Sequence, residues 1–144
     1  MTGVHGPYVI VHTITHVREA VSTAQTLERP VTLISAPGAA ASTGAEVFMH
    51  MIEVGLAEAK KPGYRAVITA VIDCGSDPGQ ALQAIRLGCT NIRLDAGTEV
   101  ITKFRDMVGP DGLVLNGTPL NVYDMDDNDR DQAPGLEDWL QTEQ

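Results

Sequence analysis

Ala66-Val67-Ile68-Thr69-Ala70-Val71-Ile72-Asp73-Cys74-Gly75-Ser76-Asp77-Pro78-Gly79-Gln80 decides the fold. Ala66 to Ile72 is the longest apolar run in the chain. It is continuous rather than alternating, as in a strand buried on both faces of a parallel sheet. The polar turn Asp73–Ser76 follows at once. Asp77 then stands at an N-cap position, Pro78 at N1 and Gln80 at N3, a helix start in which each residue satisfies or avoids a free backbone N–H. A buried strand running through a short turn into a capped helix is half of a βαβ unit.

The same grammar repeats on either side. Tyr8-Val9-Ile10-Val11-His12-Thr13 predicts a first strand, and Val17, Ala20, Val21, Ala24 and Leu27 recur at helical spacing behind it, with Thr15 placed to cap. Pro30 closes that helix, Val31–Ser35 is a second strand, and a small-residue loop runs from Ala36 to Ala41. Thr43 and Glu46 form a Thr-x-x-Glu capping box, predicting a helix from Thr43 with Phe48, Ile52, Gly55, Leu56 and Ala59 inward and Pro62-Gly63 as its stop. Gly88 ends the helix begun at Pro78. Asn91–Asp95 is a fourth strand, Val100, Ile101, Phe104, Met107 and Val108 mark a fourth helix, and Leu113–Leu115 is a short fifth strand.

Strands alternating with helices at this spacing predict an α/β fold. We expect a three-layer open parallel sheet of about five strands, in flavodoxin-like order first and sequential half-barrel order second. Arg93 alternates with Ile92 and Leu94, so it shares no face with them. An isolated charge there is too costly to bury. Either that face meets solvent or another chain, or Arg93 pairs with a carboxylate such as Asp73.

The chain of 144 residues has 43% hydrophobic residues and only 4% aromatics, so its core must be aliphatic. Residues 124–144 hold eight of the nineteen acids and one of the ten bases, Arg130, which leaves residues 1–123 at −2 of the total −9. No basic stripe exists for a phosphate backbone, so nucleic acid is not an expected partner. Neither a secretion signal nor an apolar run of membrane-spanning length is present, so the expectation is a cytoplasmic protein without a membrane partner. Two cysteines, Cys74 and Cys89, give no disulfide framework.

Residues 1–123 read as one α/β domain and 124–144 as an acidic tail, with a linker from Asp124 to Pro134. Leu136, Trp139 and Leu140 fall at i, i+3 and i+4 on a short helix. Seven or eight residues do not hold a helix alone in water. The segment must dock on its own chain, dock on a neighbour, or fray.

Ligands of open parallel sheets bind beyond the carboxyl ends of the strands. Ser35, Gly38, Ser42, Thr43, Ser76, Asp95 and Asn116 gather at those ends and form the expected ligand-binding set. The Ser35–Gly38 loop leads into free helix N–H groups, a setting suited to an anion. Turn and capping chemistry demands the same residue types. Cys74, at a strand end before a helix, is the candidate nucleophile, with His16 as base and Asp73 or Asp95 as orienting carboxylate. A free cysteine is equally a small buried apolar residue. Glu46, His50 and Glu53 share a helix face but read as a solvated stripe, so neither a metal nor another cofactor is expected.

Leu33–Ala40, Asp73-Cys74-Gly75 and Pro78–Leu82 together resemble a small uncharacterised bacterial family of short α/β proteins, over roughly residues 8–115. That resemblance implies the fold and carries no activity. The Gly-x-Ala-Leu helix is also similar to units of sugar-phosphate aldolase barrels, but the strand-end lysine of those enzymes is missing. The expected function is therefore a small-molecule-binding module working at the carboxyl strand edge, on a small-molecule or anionic ligand. The alternative is a homo-oligomeric or partner-binding protein acting through the Arg93 face and the Trp139 segment. A Cys74-dependent enzyme is the weakest of the three.

Overall fold

In the computed structural model, residues 7–59, 68–117, 119, 121–126 and 135–142 are described. Six strands form one open parallel sheet with helices between them, not closed into a barrel. The strands are β1 (Tyr8–Val11), β2 (Val31–Ser35), β3 (Ile68–Asp73), β4 (Asn91–Arg93), β5 (Leu113–Leu115) and β6 (Val122–Asp124). The helices are α1 (Ile14–Leu27), α2 (Ala45–Ala59), α3 (Pro78–Arg86), α4 (Thr98–Val108) and α5 (Leu136–Thr142), and a π-helical turn, Ala40–Gly44, leads into α2.

The sheet order is β5-β4-β3-β2-β1-β6. Strands β1 to β5 therefore follow chain order, the second of the two expected arrangements, and the flavodoxin-like order does not occur. β1 pairs with β6, β3 with β4 and β4 with β5, all parallel. All five residues of β2 are buried, as a strand flanked on both sides requires.

The chain divides into two compact units. Unit 1 comprises Met1–Ile34, Met51–Ala70 and Leu120–Gln144, and unit 2 comprises Ser35–His50 and Val71–Pro119. Within unit 1, β1 alternates: Val9 and Val11 are buried, Tyr8 and Ile10 half-buried. Thr13, rather than Thr15, caps α1, its Oγ1 accepting from the His16 N–H at 3.2 Å. The boundary expected between residues 123 and 124 falls inside a strand. Asp124 belongs to β6, and Tyr123 and Met125 are buried. A three-residue strand beside an acidic run has too weak a local pattern to read; its pairing with β1 makes it.

The tail helix docks on its own chain. α5 packs against α1, with Leu136 and Leu140 buried and the Trp139 ring 5.4 Å from that of Tyr123. The Arg29 guanidinium donates to the Leu140 carbonyl, one of the helix-end acceptors that lack an intrahelical donor. The rest of the expected linker, residues 127–134, lies outside the described residues, as do Lys60, Lys61 and Pro62-Gly63.

In unit 2, Asp77 caps α3 as its spacing predicts, Oδ1 accepting from Gly79 N at 2.9 Å and Gln80 N at 3.3 Å. Gly88 adopts φ +102° past the end of that helix. Ile101 and Phe104 are the buried residues of α4, whereas Met107 is turned to solvent.

Candidate functional site

The carboxyl ends of β2, β3, β4 and β5 in unit 2 are joined by one hydrogen-bonded network. Its centre is Asp73, the last residue of β3. Asp73 Oδ1 accepts from the Gly75 N–H at 2.8 Å and the Gly38 N–H at 3.2 Å. Oδ2 accepts from Arg93 Nε at 2.6 Å. Arg93 Nη1 in turn donates to Asp95 Oδ1 at 2.8 Å. The Asp73 side chain is 3% exposed, that of Arg93 9% and that of Asp95 48%. Of the two fates open to Arg93, the structure shows pairing. Burial pulls its guanidinium down, and the hydrogen bonds to Asp95 and Asp73 outweigh that and hold it above its ordinary value.

Ser35, at the end of β2, is buried and accepts the Asp73 N–H on Oγ at 2.8 Å. Gly38, at φ +69°, donates its N–H to Asp73. The chain's own carboxylate thus occupies the N–H group that the Ser35–Gly38 loop was expected to offer an anion. The expected capping box is overturned as well. Thr43 lies inside the π-helical turn rather than before a helix, because helical backbone already begins at Ala39.

The remaining expected ligand-binding residues divide. Ser76 and Asn116 are exposed at the rim, and Asn116 Oδ1 accepts from the Ala96 N–H at 3.4 Å. Ser42 and Thr43 are exposed on the π-helical turn. Thr43 lines a shallow groove of about 260 Å³ between that turn and α3, together with Glu46, Val47, Gln80, Gln83 and Leu87. None of Asp73, Arg93 and Asp95 reaches this groove.

Cys74 does not have the surroundings of a nucleophile. It is 3% exposed, and its thiol is pushed up to about 12 by burial first and then by the Asp73 carboxylate. The thiolate that a nucleophile needs is therefore disfavoured at neutral pH. His16 belongs to unit 1, where its Nδ1 accepts from the His12 N–H at 3.0 Å. Asp73, the third member of the expected set, is engaged on both oxygens by backbone and Arg93. Glu46, His50 and Glu53 are exposed, and no group of three His, Cys, Asp or Glu among the described residues is arranged to hold a metal.

Open space lies above the rim. Gly38, Gly75, Gly97 and Gly117 follow β2, β3, β4 and β5 respectively, and a Cβ built on any of them would meet no atom within 4 Å. Asp95 stands among them with Oδ1 held by Arg93 and its carboxylate half exposed. The sequence offered Asp73 as a partner for Arg93 and marked Asp95 only as a separate strand-end residue. What it missed is that Arg93 bridges the two carboxylates. No described helix is long and apolar enough to cross a membrane. No family model matches the chain, and neither does any curated protein.

Proposed function

We propose that unit 2 is a small-molecule-binding module whose ligand sits at the carboxyl rim of β2 to β5 and hydrogen-bonds to Asp95. One observation carries this reading: an arginine whose side chain is nine-tenths buried, anchored by Asp73, grips a carboxylate that remains half open to solvent. Removing a charged pair from water is expensive, and apolar residues would fill the same space at less cost. The arrangement is reasonable where it fixes the orientation of Asp95 for a further contact.

The charge of the cluster sets the ligand class. One arginine lies between two aspartates, so the rim is net negative and disfavours phosphates and carboxylates. A neutral polyol or an amine fits. Its N–H or O–H group would donate to Asp95, and an oxygen would receive the Arg93 Nη2, which makes no hydrogen bond among the described residues. The alternative of a partner-binding protein loses support, because the Trp139 segment is docked within unit 1.

Amide NMR titration tests the proposal with ethanolamine, spermidine, glycerol and glucose set against acetate and inorganic phosphate. An amine or polyol should shift the Gly75, Ala96 and Gly117 amides, and Asp95→Ala should abolish the response. Shifts confined to the α2–α3 groove, or a preference for phosphate, would reject this site.

A further inference from the structure

A second polar cluster lies at the carboxyl edge of unit 1, built from residues 112 positions apart. His12 directly follows β1 and Asp124 ends β6, and these strands pair with Ile10 opposite Asp124. His12 Nε2 stands 2.7 Å from Asp124 Oδ1. The same oxygen accepts the Asp126 N–H at 2.9 Å, which fixes the carboxylate. The His16 ring meets that of His12 edge-on, with centroids 5.6 Å apart and planes at 83°. No lysine or arginine among the described residues pairs with Asp124.

Hydrogen-bond chemistry then assigns the proton. A carboxylate only accepts, so the neutral His12 ring must carry its hydrogen on Nε2. Nδ1 is left as a bare lone pair, and it makes no hydrogen bond among the described residues. The His12 side chain is 25% exposed, so the ring is covered without being sealed. An imidazole oriented by a carboxylate at one nitrogen, with no hydrogen bond at the other among the described residues, has the arrangement of a general base. Its place also suits a ligand: it lies beyond the strand ends where the sheet order turns back, β2 on one side of β1 and β6 on the other.

We propose that His12, oriented by Asp124, is a proton-accepting catalytic residue of a second site, acting on small uncharged acyl compounds with water as the nucleophile. Nδ1 takes a proton from water as the water oxygen bonds to the acyl carbon. The bond from that carbon to the leaving oxygen then breaks. The proton on Nδ1 passes to the leaving oxygen or, where that oxygen departs as a stable anion, to solvent. Asp124 stabilises the imidazolium in between. An anionic compound is disfavoured by the local charge, since the cluster holds a carboxylate and no fixed cation among the described residues.

Two measurements test it, the first on the unaltered protein. Nitrogen-15 spectra of the neutral His12 ring should show Nε2 protonated and Nδ1 bare; the opposite tautomer overturns the assignment. The second uses p-nitrophenyl acetate at neutral pH. The protein should hydrolyse it at least tenfold faster than His12→Gln, in which His50 still supplies the background of an exposed imidazole. Asp124→Asn keeps an acceptor for Nε2–H but loses the charge, and should cost about tenfold. Trp139 emission, which reports the packing beside β6, identifies variants that keep the fold. A protein no faster than an equal concentration of free imidazole, or a folded His12→Gln as fast as the parent, overturns the proposal. A tie that merely holds β6 to β1 would leave the rate unmoved.

Discussion

Replacing Arg93 with methionine removes the guanidinium while keeping most of its apolar stem. Asp73 then stays 97% buried with its Gly38 and Gly75 N–H donors but without a counter-charge. Asp95 loses little, because water can replace Arg93 at a half-exposed carboxylate. Breaking a buried pair by removing one partner costs about 3–5 kcal/mol. The two surviving N–H bonds place Arg93→Met at the lower end, about 3 kcal/mol. For 144 residues at about 2.1 cal/mol/K each, the unfolding entropy is about 0.3 kcal/mol/K, so Tm should fall by about 10 °C. The companion Asp73→Asn sets an amide donor against Arg93 Nε and should cost a similar amount. The double variant has no unpaired buried charge, so it should be less destabilised than the sum of the two by about 2 kcal/mol. Differential scanning calorimetry of the four proteins closes the cycle. Simple additivity, or an Arg93→Met that melts within about 2 °C of the parent, would mean that the pair is not the buried anchor described above.

Two further perturbations probe other parts of the molecule. The raised Cys74 thiol keeps its proton in the folded protein after the unfolded chain has lost it, so its contribution to stability is complete below pH 9 and disappears as pH climbs to about 12. Over that window it should lower stability by up to about 1.4 kcal/mol per pH unit. Urea titrations of Cys74→Ala should show a shallower alkaline decline, and an identical slope would contradict the burial of the thiol. Leu140 is fully buried where α5 meets α1, so Leu140→Ala should cost about 2–5 kcal/mol and change Trp139 emission. Wild-type stability in that variant would mean that the tail helix contributes nothing to unit 1.

Local chemistry made much of this protein legible from its residues alone. β2 and β5 span the residues their β-branched and aliphatic runs predict, and α3 begins where Asp77-Pro78 says it should. Those signals work because an N-cap or a strand pattern is satisfied within a few residues of itself. The α2 region shows where such reasoning stops. Thr43 and Glu46 have the spacing of a capping box, yet helical backbone already begins at Ala39, and the Gly38 N–H before it goes to Asp73, 35 residues further along the chain. The helical backbone starts several residues earlier than the local pattern predicts.

Sequence alone determined the βα alternation and the parallel sheet, and it narrowed Arg93 to an open face or a carboxylate partner, since each follows from backbone period or from the cost of an unpaired buried charge. Tertiary structure decided the strand order, the sixth strand and the union of Asp73 with Asp95 through Arg93. It also decided the meeting of His12 with Asp124. These depend on which distant segments become neighbours, and hydrophobic pattern and capping propensity record only what a residue requires, not which residue supplies it.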